Sequence, residues 1–269
     1  MFETVSFHIV KPCNMKCKFC YATFDDMHVK QLPLSEAFLI LENLKENGVQ
    51  KVTFAGGEPL MYKYINEVIS FCKKLGMTTS LITNGSLLTE DFLSRNKYVL
   101  DWIGISIDSL NQETNHKIGR YSTKPIDYHR LVKRINYDFK LKINTVVNRY
   151  NYSENMQDFI NFAKPKRWKI FEALRVEGQN DKQFDEIKCS REQFQDFVKC
   201  HNHPNMVVED NEVILGSYLL IDPQGRLFED SKGKHTYSDP VQFSDFKKCL
   251  SQINLNRENF LKRGGIYKW

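Results

Sequence analysis

The stretch that decides the fold is Val5-Ser6-Phe7-His8-Ile9-Val10-Lys11-Pro12-Cys13-Asn14-Met15-Lys16-Cys17-Lys18-Phe19-Cys20-Tyr21, answered further on by Lys51-Val52-Thr53-Phe54-Ala55-Gly56-Gly57-Glu58-Pro59. Each opens with a β-branched and aromatic run that reads as a strand and ends in a loop rich in chemistry-bearing residues. Between them lies a helix over 34–47, with Ala37, Phe38, Leu41 and Leu44 on one face and Gly48 as its stop. The same rhythm continues along the chain. A second helix carries Ile65, Val68, Ile69, Cys72 and Leu75 and ends at Gly76. Strands over 78–83, 102–107, 142–148 and 168–174 alternate with helices near 89–95, 126–136 and 153–163. Strands alternating with helices mean parallel βα units, in an open barrel or a doubly wound sheet.

After about residue 176 the pattern changes. Glu177 to Lys182 is a polar connector, 191–200 is helical, and Val213 to Ile221 runs into the turn Asp222-Pro223-Gln224-Gly225 and a hairpin. The end, Phe260 to Trp269, is basic and hinged on Gly264 and Gly265. Residues 1–175 are expected to form the core. Residues 176–269 are expected to pack on it as an extension within one structural unit, since no linker precedes them.

With 269 residues, 41% hydrophobic and 26% charged, the composition excludes disordered, collagen-like and disulfide-stapled chains. No apolar run approaches the roughly 20 residues of a membrane span. The start Met1-Phe2-Glu3-Thr4 lacks a signal-peptide pattern, so a cytoplasmic protein is expected. A net charge of +5 suits a binder of small anions as well as a weak nucleic-acid binder, and no Lys/Arg block marks a nucleic-acid tail. Seven cysteines cannot all pair, and a reducing compartment favours metal or catalytic use. Cys72, Cys189, Cys200 and Cys249 are scattered and read as core or surface thiols.

Cys13, Cys17 and Cys20 place three thiols on one loop after a strand. Thiolates suit zinc or iron–sulfur clusters, but structural zinc wants four closed ligands and no second pair is present. Three ligands point to a cluster with one open iron. Strand periodicity gives a second reading. Lys51 and Thr53 share a face, as do Lys142 and Asn144, and as do Arg167 and Lys169. With the apolar faces turned to helices, these cations share the barrel interior, where they need anions; a polyphosphate meets that need. Taken one at a time, each could be a strand-end charge reaching solvent. Ser106 and Asp108 face inward on their strand, and Ser106 with Arg120 suits a carboxylate. Thr83-Asn84-Gly85-Ser86 is a turn after a strand.

The spacing Cys13-x3-Cys17-x2-Cys20 followed by Tyr21 resembles the radical S-adenosylmethionine superfamily, and Gly56-Gly57-Glu58-Pro59 resembles its GGE motif. The match narrows to the viperin family. It is carried by Cys13 to Cys20, Thr83 to Leu87, Ile105 to Ser109, Lys142 to Asn151, Arg167 to Phe171, Val176 to Gly178, Ser217 to Asp222 and Phe260 to Gly265. The resemblance implies a partial (β/α)6 barrel of radical SAM type with a C-terminal extension. It implies a 4Fe–4S cluster on Cys13, Cys17 and Cys20, with S-adenosylmethionine held near Tyr21, Gly56, Gly57, Glu58, Asn84, Ser106 and Arg120. It implies that Lys51, Thr53, Lys142, Asn144, Arg167 and Lys169 hold a nucleoside triphosphate, and that Tyr218 is a hydrogen or proton donor. The implied reaction takes the ribose 4′ hydrogen with a 5′-deoxyadenosyl radical and expels water from C3′. Its product is the 3′-deoxy-3′,4′-didehydro nucleotide, an antiviral chain terminator.

CTP is the substrate in animal viperins; the base here, whether that of CTP, UTP or GTP, is left open. A chain beginning almost at its first strand and stopping at Trp269 resembles the soluble prokaryotic-type members, without membrane helix or cluster-assembly tail. The expected partners are the nucleotide and a reductase or flavodoxin- or ferredoxin-type electron donor. No membrane and no nucleic acid is expected, and the protein is expected to be a monomer. Two other readings are weighed. A molybdopterin-precursor-synthase-like enzyme needs a second cysteine cluster, for which Cys189, Cys200 and Cys249 are too dispersed. A non-catalytic iron–sulfur protein binding nucleic acid would carry its cations outside.

Overall fold

The computed structural model of the protein describes residues 2–267, so Lys268 and Trp269 of the basic tail lie outside the described residues. Its strands are β1 (Thr4–His8), β2 (Lys51–Ala55), β3 (Thr78–Thr83), β4 (Trp102–Ser106), β5 (Lys140–Val147), β6 (Arg167–Glu172), β7 (Met206–Glu209), β8 (Leu220–Ile221), β9 (Arg226–Glu229) and β10 (Thr236–Pro240). The helices of the first half are α1 (Leu34–Glu46), α2 (Ile65–Lys74), α3 (Glu90–Asn96), α4 (Gln112–Lys117), α5 (Tyr128–Asp138) and α6 (Gln157–Ala163). Those of the second half are α7 (Asp181–Ile187), α8 (Arg191–Lys199), α9 (Asn211–Ile214), α10 (Phe246–Ser251) and α11 (Arg257–Lys262).

All ten strands belong to one sheet in the order β10-β9-β8-β1-β2-β3-β4-β5-β6-β7. Every pair from β1 to β7 is parallel, and so is β1 with β8, while β9 and β10 turn back antiparallel. This is the expected partial barrel. The second half of the chain lengthens the sheet at both edges: β7 adds beside β6, and β8 adds beside β1.

Three details depart from the sequence reading. The connector after Glu177 becomes helix α7, α4 precedes α5, and Asn211 to Ile214 is a short helix capped by Asp210 rather than the start of a strand. β7 was not foreseen. Met206-Val207-Val208-Glu209 is too short to show a period, and it forms because the open edge of β6 offers unpaired backbone groups.

Alternation along the parallel strands sorts the side chains. Val52, Phe54, Leu141, Ile143, Trp168 and Ile170 are fully buried toward the helices, and the Trp168 indole donates to Thr145 Oγ1 at 3.0 Å. The opposite faces line the interior. At the top of β2 the chain runs against the loop after β1. Gly57 N donates to Val10 O at 2.6 Å, and Glu58 N donates to Pro12 O at 2.9 Å. A Cβ on Gly57 would press into the carbonyl oxygens of Lys11 and Pro12. Gly57→Ala is therefore expected to cost about 1–3 kcal/mol, as overpacking against backbone does. A lowered urea unfolding midpoint checks this; an unchanged midpoint contradicts the packing.

Candidate active site

One cavity of about 730 Å³ fills the barrel interior. It is lined by Cys13, Cys17, Cys20, Tyr21, Gly56, Gly57, Glu58, Asn84, Ser106 and Arg120, and by Lys51, Thr53, Lys142, Asn144, Lys169 and Tyr218; the cysteine loop follows the carboxyl end of β1, Lys51 and Lys142 sit toward the amino ends of β2 and β5, and Ser106, Asn144 and Lys169 share one level as register partners. The structure thus brings together all the residues singled out from sequence except Arg167, whose guanidinium turns to the C-terminal segment. Its Nη2 donates to Arg263 O at 3.1 Å and to Gly264 O at 2.8 Å, and it lies over the Tyr267 ring.

The cysteine loop is held from three sides. Its backbone pairs with the end of α4, Lys16 N to Gly119 O at 3.1 Å and Lys18 N to Ile118 O at 3.0 Å. Gly119 has φ +75°, and a Cβ there would meet Lys16 O. Asn84 donates to Asn14 Oδ1 at 2.9 Å, tying the loop to the turn after β3. The glycines of the GGE segment serve this same packing: their close approach is to the loop's own backbone. Glu58 is buried and already engaged, accepting from Thr83 Oγ1 at 2.6 Å and from Asn84 N at 2.9 Å. Burial pushes its carboxyl up. Arg120 is ion-paired with Asp108, which also accepts from Val146 N at 2.7 Å, so the arginine is preset rather than swinging free beside Ser106. The Tyr21 hydroxyl meets His8 Nε2 at 3.1 Å. His8 is held neutral by burial and by His235, its pKa falling to about 3.

Burial pushes the Cys17 thiol up to about 12 and raises Cys13 and Cys20 as well, with the Arg120 charge opposing. Thiols in that state become ligands when a cationic centre stabilises the thiolate. Among the described residues no three His, Cys, Asp or Glu side chains converge on one metal ion. The donor set, three thiols on the cavity wall beside a guanidinium, fits an iron–sulfur cluster.

At the other end cations outnumber anions. Lys51 is buried; burial, followed by Lys142 and Arg167, lowers its pKa to about 6. Lys142 is lowered to about 7 by burial, with Glu209 opposing and Arg167 and Arg263 adding to the fall. Lys169 is pulled down by burial and opposed by Glu209, its ion-pair partner. Tyr218 accepts from Lys169 Nζ at 2.7 Å and donates to Glu209 Oε2 at 2.5 Å. Arg263 stacks over the Tyr218 ring at 3.6 Å and donates to Ser217 O. Lys51 donates to the Tyr267 hydroxyl at 2.5 Å. Asn144 leaves its Oδ1 buried and without a hydrogen bond among the described residues. Glu209, Arg263, Tyr267 and His8 were missed from sequence. Arg263 and Tyr267 lay in the basic, glycine-hinged tail without a site role of their own, and no local spacing links Glu209 to the cage.

The model of the Radical SAM superfamily matches residues 9–164. The chain is 46% identical to the S-adenosylmethionine-dependent nucleotide dehydratase of Lacinutrix mariniflava over 99% of its own length, spanning 58% of that protein. It is 42% identical to the S-adenosylmethionine-dependent nucleotide dehydratase of Flammeovirga pacifica, covering 100% of this chain and 97% of that one. The crystal structure of Streptococcus suis SuiB bound to S-adenosylmethionine shares the fold with a TM-score of 0.72 at 17% identity, over 98% of this chain and 67% of that one. The fold and the cysteine loop are those of a radical SAM enzyme. The chain belongs to that superfamily and, within it, to the S-adenosylmethionine-dependent nucleotide dehydratases. Its cofactors are a 4Fe–4S cluster and S-adenosylmethionine.

The lowered lysines predict proton uptake on anion binding. With pKa values lowered to about 6 and about 7, Lys51 and Lys142 are mostly uncharged at pH 8 before a ligand binds, and a bound polyanion shifts both toward the charged form. Calorimetry with inorganic triphosphate at pH 8, in buffers of different ionisation enthalpy, should show about two protons taken up. Uptake should vanish below the free pKa values, and affinity should fall from pH 7 to 9. Binding with no buffer dependence contradicts this assignment.

Proposed function

We propose that the protein is a radical dehydratase of nucleoside triphosphates, making the 3′-deoxy-3′,4′-didehydro analogue of its substrate. The observation that carries this reading is the cavity itself, which sets an anion-demanding cage at one end and a three-thiol loop at the other. When bound, the reduced cluster and S-adenosylmethionine supply a 5′-deoxyadenosyl radical. Tyr21, Gly56, Gly57, Glu58, Asn84, Ser106 and Arg120 hold that end. Lys51, Thr53, Lys142 and Lys169 hold the triphosphate, and Arg167 acts through the C-terminal segment it anchors. The unpartnered Asn144 Oδ1 accepts from a sugar hydroxyl, and the ribose then spans the middle, its 4′ hydrogen toward the thiol end. Tyr218, hydrogen-bonded to Lys169 and Glu209, is the candidate donor to the sugar. Residues 1–175 act as the core, and residues 176–269 close over the nucleotide and exclude water.

Water leaves from C3′, and one electron and one proton complete the product, so a flavodoxin- or ferredoxin-type protein or a reductase must supply electrons. The protein works as a cytoplasmic monomer without nucleic acid. Among the described residues no helix is long and apolar enough to cross a membrane.

The test is anaerobic turnover of the reconstituted protein with dithionite, S-adenosylmethionine and CTP, UTP, GTP or ATP separately. One nucleotide should stimulate 5′-deoxyadenosine release and yield a product lighter by one water; cleavage that no nucleotide stimulates overturns the reading. Cys17→Ala should lose iron binding and activity together. Lys142→Ala should weaken nucleotide binding at least about tenfold, the loss of one charge-assisted contact, while S-adenosylmethionine cleavage persists. Full nucleotide affinity in that variant contradicts the cage.

A further inference from the structure

Asp230 follows β9 and lines the cavity while only 7% exposed. The residue before it, Glu229, is paired with Thr236 of β10, and its carboxylate folds back to accept from Ser231 N at 2.5 Å. Asp230 is bound differently. Its Oδ1 accepts from Gly216 N at 3.1 Å, and among the described residues no other residue's donor reaches the carboxyl and no basic side chain pairs with it. Burial raises its pKa to about 6, with Glu229 adding to the rise, so above neutrality it is a carboxylate. A buried carboxylate is costly until donors answer it, and here one backbone N–H answers one oxygen.

The other carboxylates lining the cavity are exposed or engaged. Asp25 is exposed, Glu58 accepts from Thr83, Asn84 and Leu60, and Glu172 is ion-paired with Arg191. The position of Asp230 ties it to the cationic cage. Gly216 stands two residues before Tyr218, whose hydroxyl accepts from Lys169 Nζ at 2.7 Å. Tyr21, just after the cysteine loop, feels the Asp230 charge. We propose that Asp230 reads the nucleobase of the substrate: its open oxygen accepts a hydrogen bond from an exocyclic amino group. The inference rests on the reading of this cavity as a nucleotide site and supplies the class of base. Cytosine, guanine and adenine carry such an amino group. Uracil has a carbonyl where cytosine has its amino group, and acceptor then faces acceptor.

The test measures affinities of the anaerobic, cluster-loaded protein for CTP, GTP, ATP, UTP, inorganic triphosphate and S-adenosylmethionine, in wild type and Asp230→Asn. In the variant the amide oxygen keeps the Gly216 bond and the amide nitrogen takes the open place, so an acceptor becomes a donor with the shape unchanged. Wild type should bind its preferred amino-bearing nucleotide at least about tenfold more tightly than UTP, the worth of one hydrogen bond to a charged group. Asp230→Asn should shrink that ratio at least about tenfold, with inorganic triphosphate and S-adenosylmethionine bound as in wild type. An unchanged ratio overturns the proposal. So does weakened S-adenosylmethionine binding with the ratio unchanged, which assigns the carboxylate to the adenosine of the cofactor. Should Asp230→Asn fail to fold, the wild type decides: UTP bound as tightly as every amino-bearing nucleotide overturns the proposal, and a tenfold preference against UTP upholds it. Wild type that binds no nucleotide sinks the nucleotide-site reading itself.

Discussion

Like charges enclosed in a low-dielectric cavity repel strongly unless opposite charge answers them. Lys51, Lys142, Lys169, Arg167 and Arg263 stand round the barrel interior; among the described residues Glu209 opposes their mutual repulsion at Lys142 and Lys169, and Asp101 opposes it at Lys51. Much of the molecule follows from holding that arrangement. The parallel strands place the cations by alternation, and the second half of the chain adds β7 with its carboxylate. The C-terminal segment is anchored there through Arg167 to the carbonyls of Arg263 and Gly264. Burying these cationic groups is costly, and an anionic ligand would relieve that cost.

The opposite end is organised by backbone rather than charge. Gly57 and Gly119 let two loops press on the cysteine segment, and Asn84 ties it to β3, so three thiols stand at fixed places on the cavity wall. Rigid placement matters because a radical reacts with whatever hydrogen is nearest; distance along the barrel, set by strand length, becomes the selectivity. One cavity is lined by both the cationic cage and the cysteine loop.

The first 174 residues were legible almost element by element, because βα units repeat a strong apolar rhythm and mark their ends with Gly48 and Gly76. The inward cations were legible for the same reason, since period-two alternation is local. Arg167 shows where locality ends: its strand face is as expected, but its guanidinium is claimed by a segment nearly a hundred residues later, at a separation of 96 for Arg263 O. Glu209 was invisible because its strand has only four residues and exists by edge pairing with β6. Its role depends on Lys169 and Tyr218, each placed by a different element. The resemblance puts the GGE glycines beside S-adenosylmethionine; what the sequence did not show is their close contact with the backbone of residues 10–12.

On the proposed function, the cage fixes a nucleotide so that its ribose C4′ faces the cysteine loop. The most direct measurement gives the anaerobic, cluster-loaded protein a nucleoside triphosphate deuterated at C4′ alone and reads the mass of the 5′-deoxyadenosine released. The account predicts that the 5′-deoxyadenosine carries the deuterium, heavier by one mass unit than from unlabelled substrate. Unlabelled 5′-deoxyadenosine, with deuterium retained in the nucleotide, contradicts it.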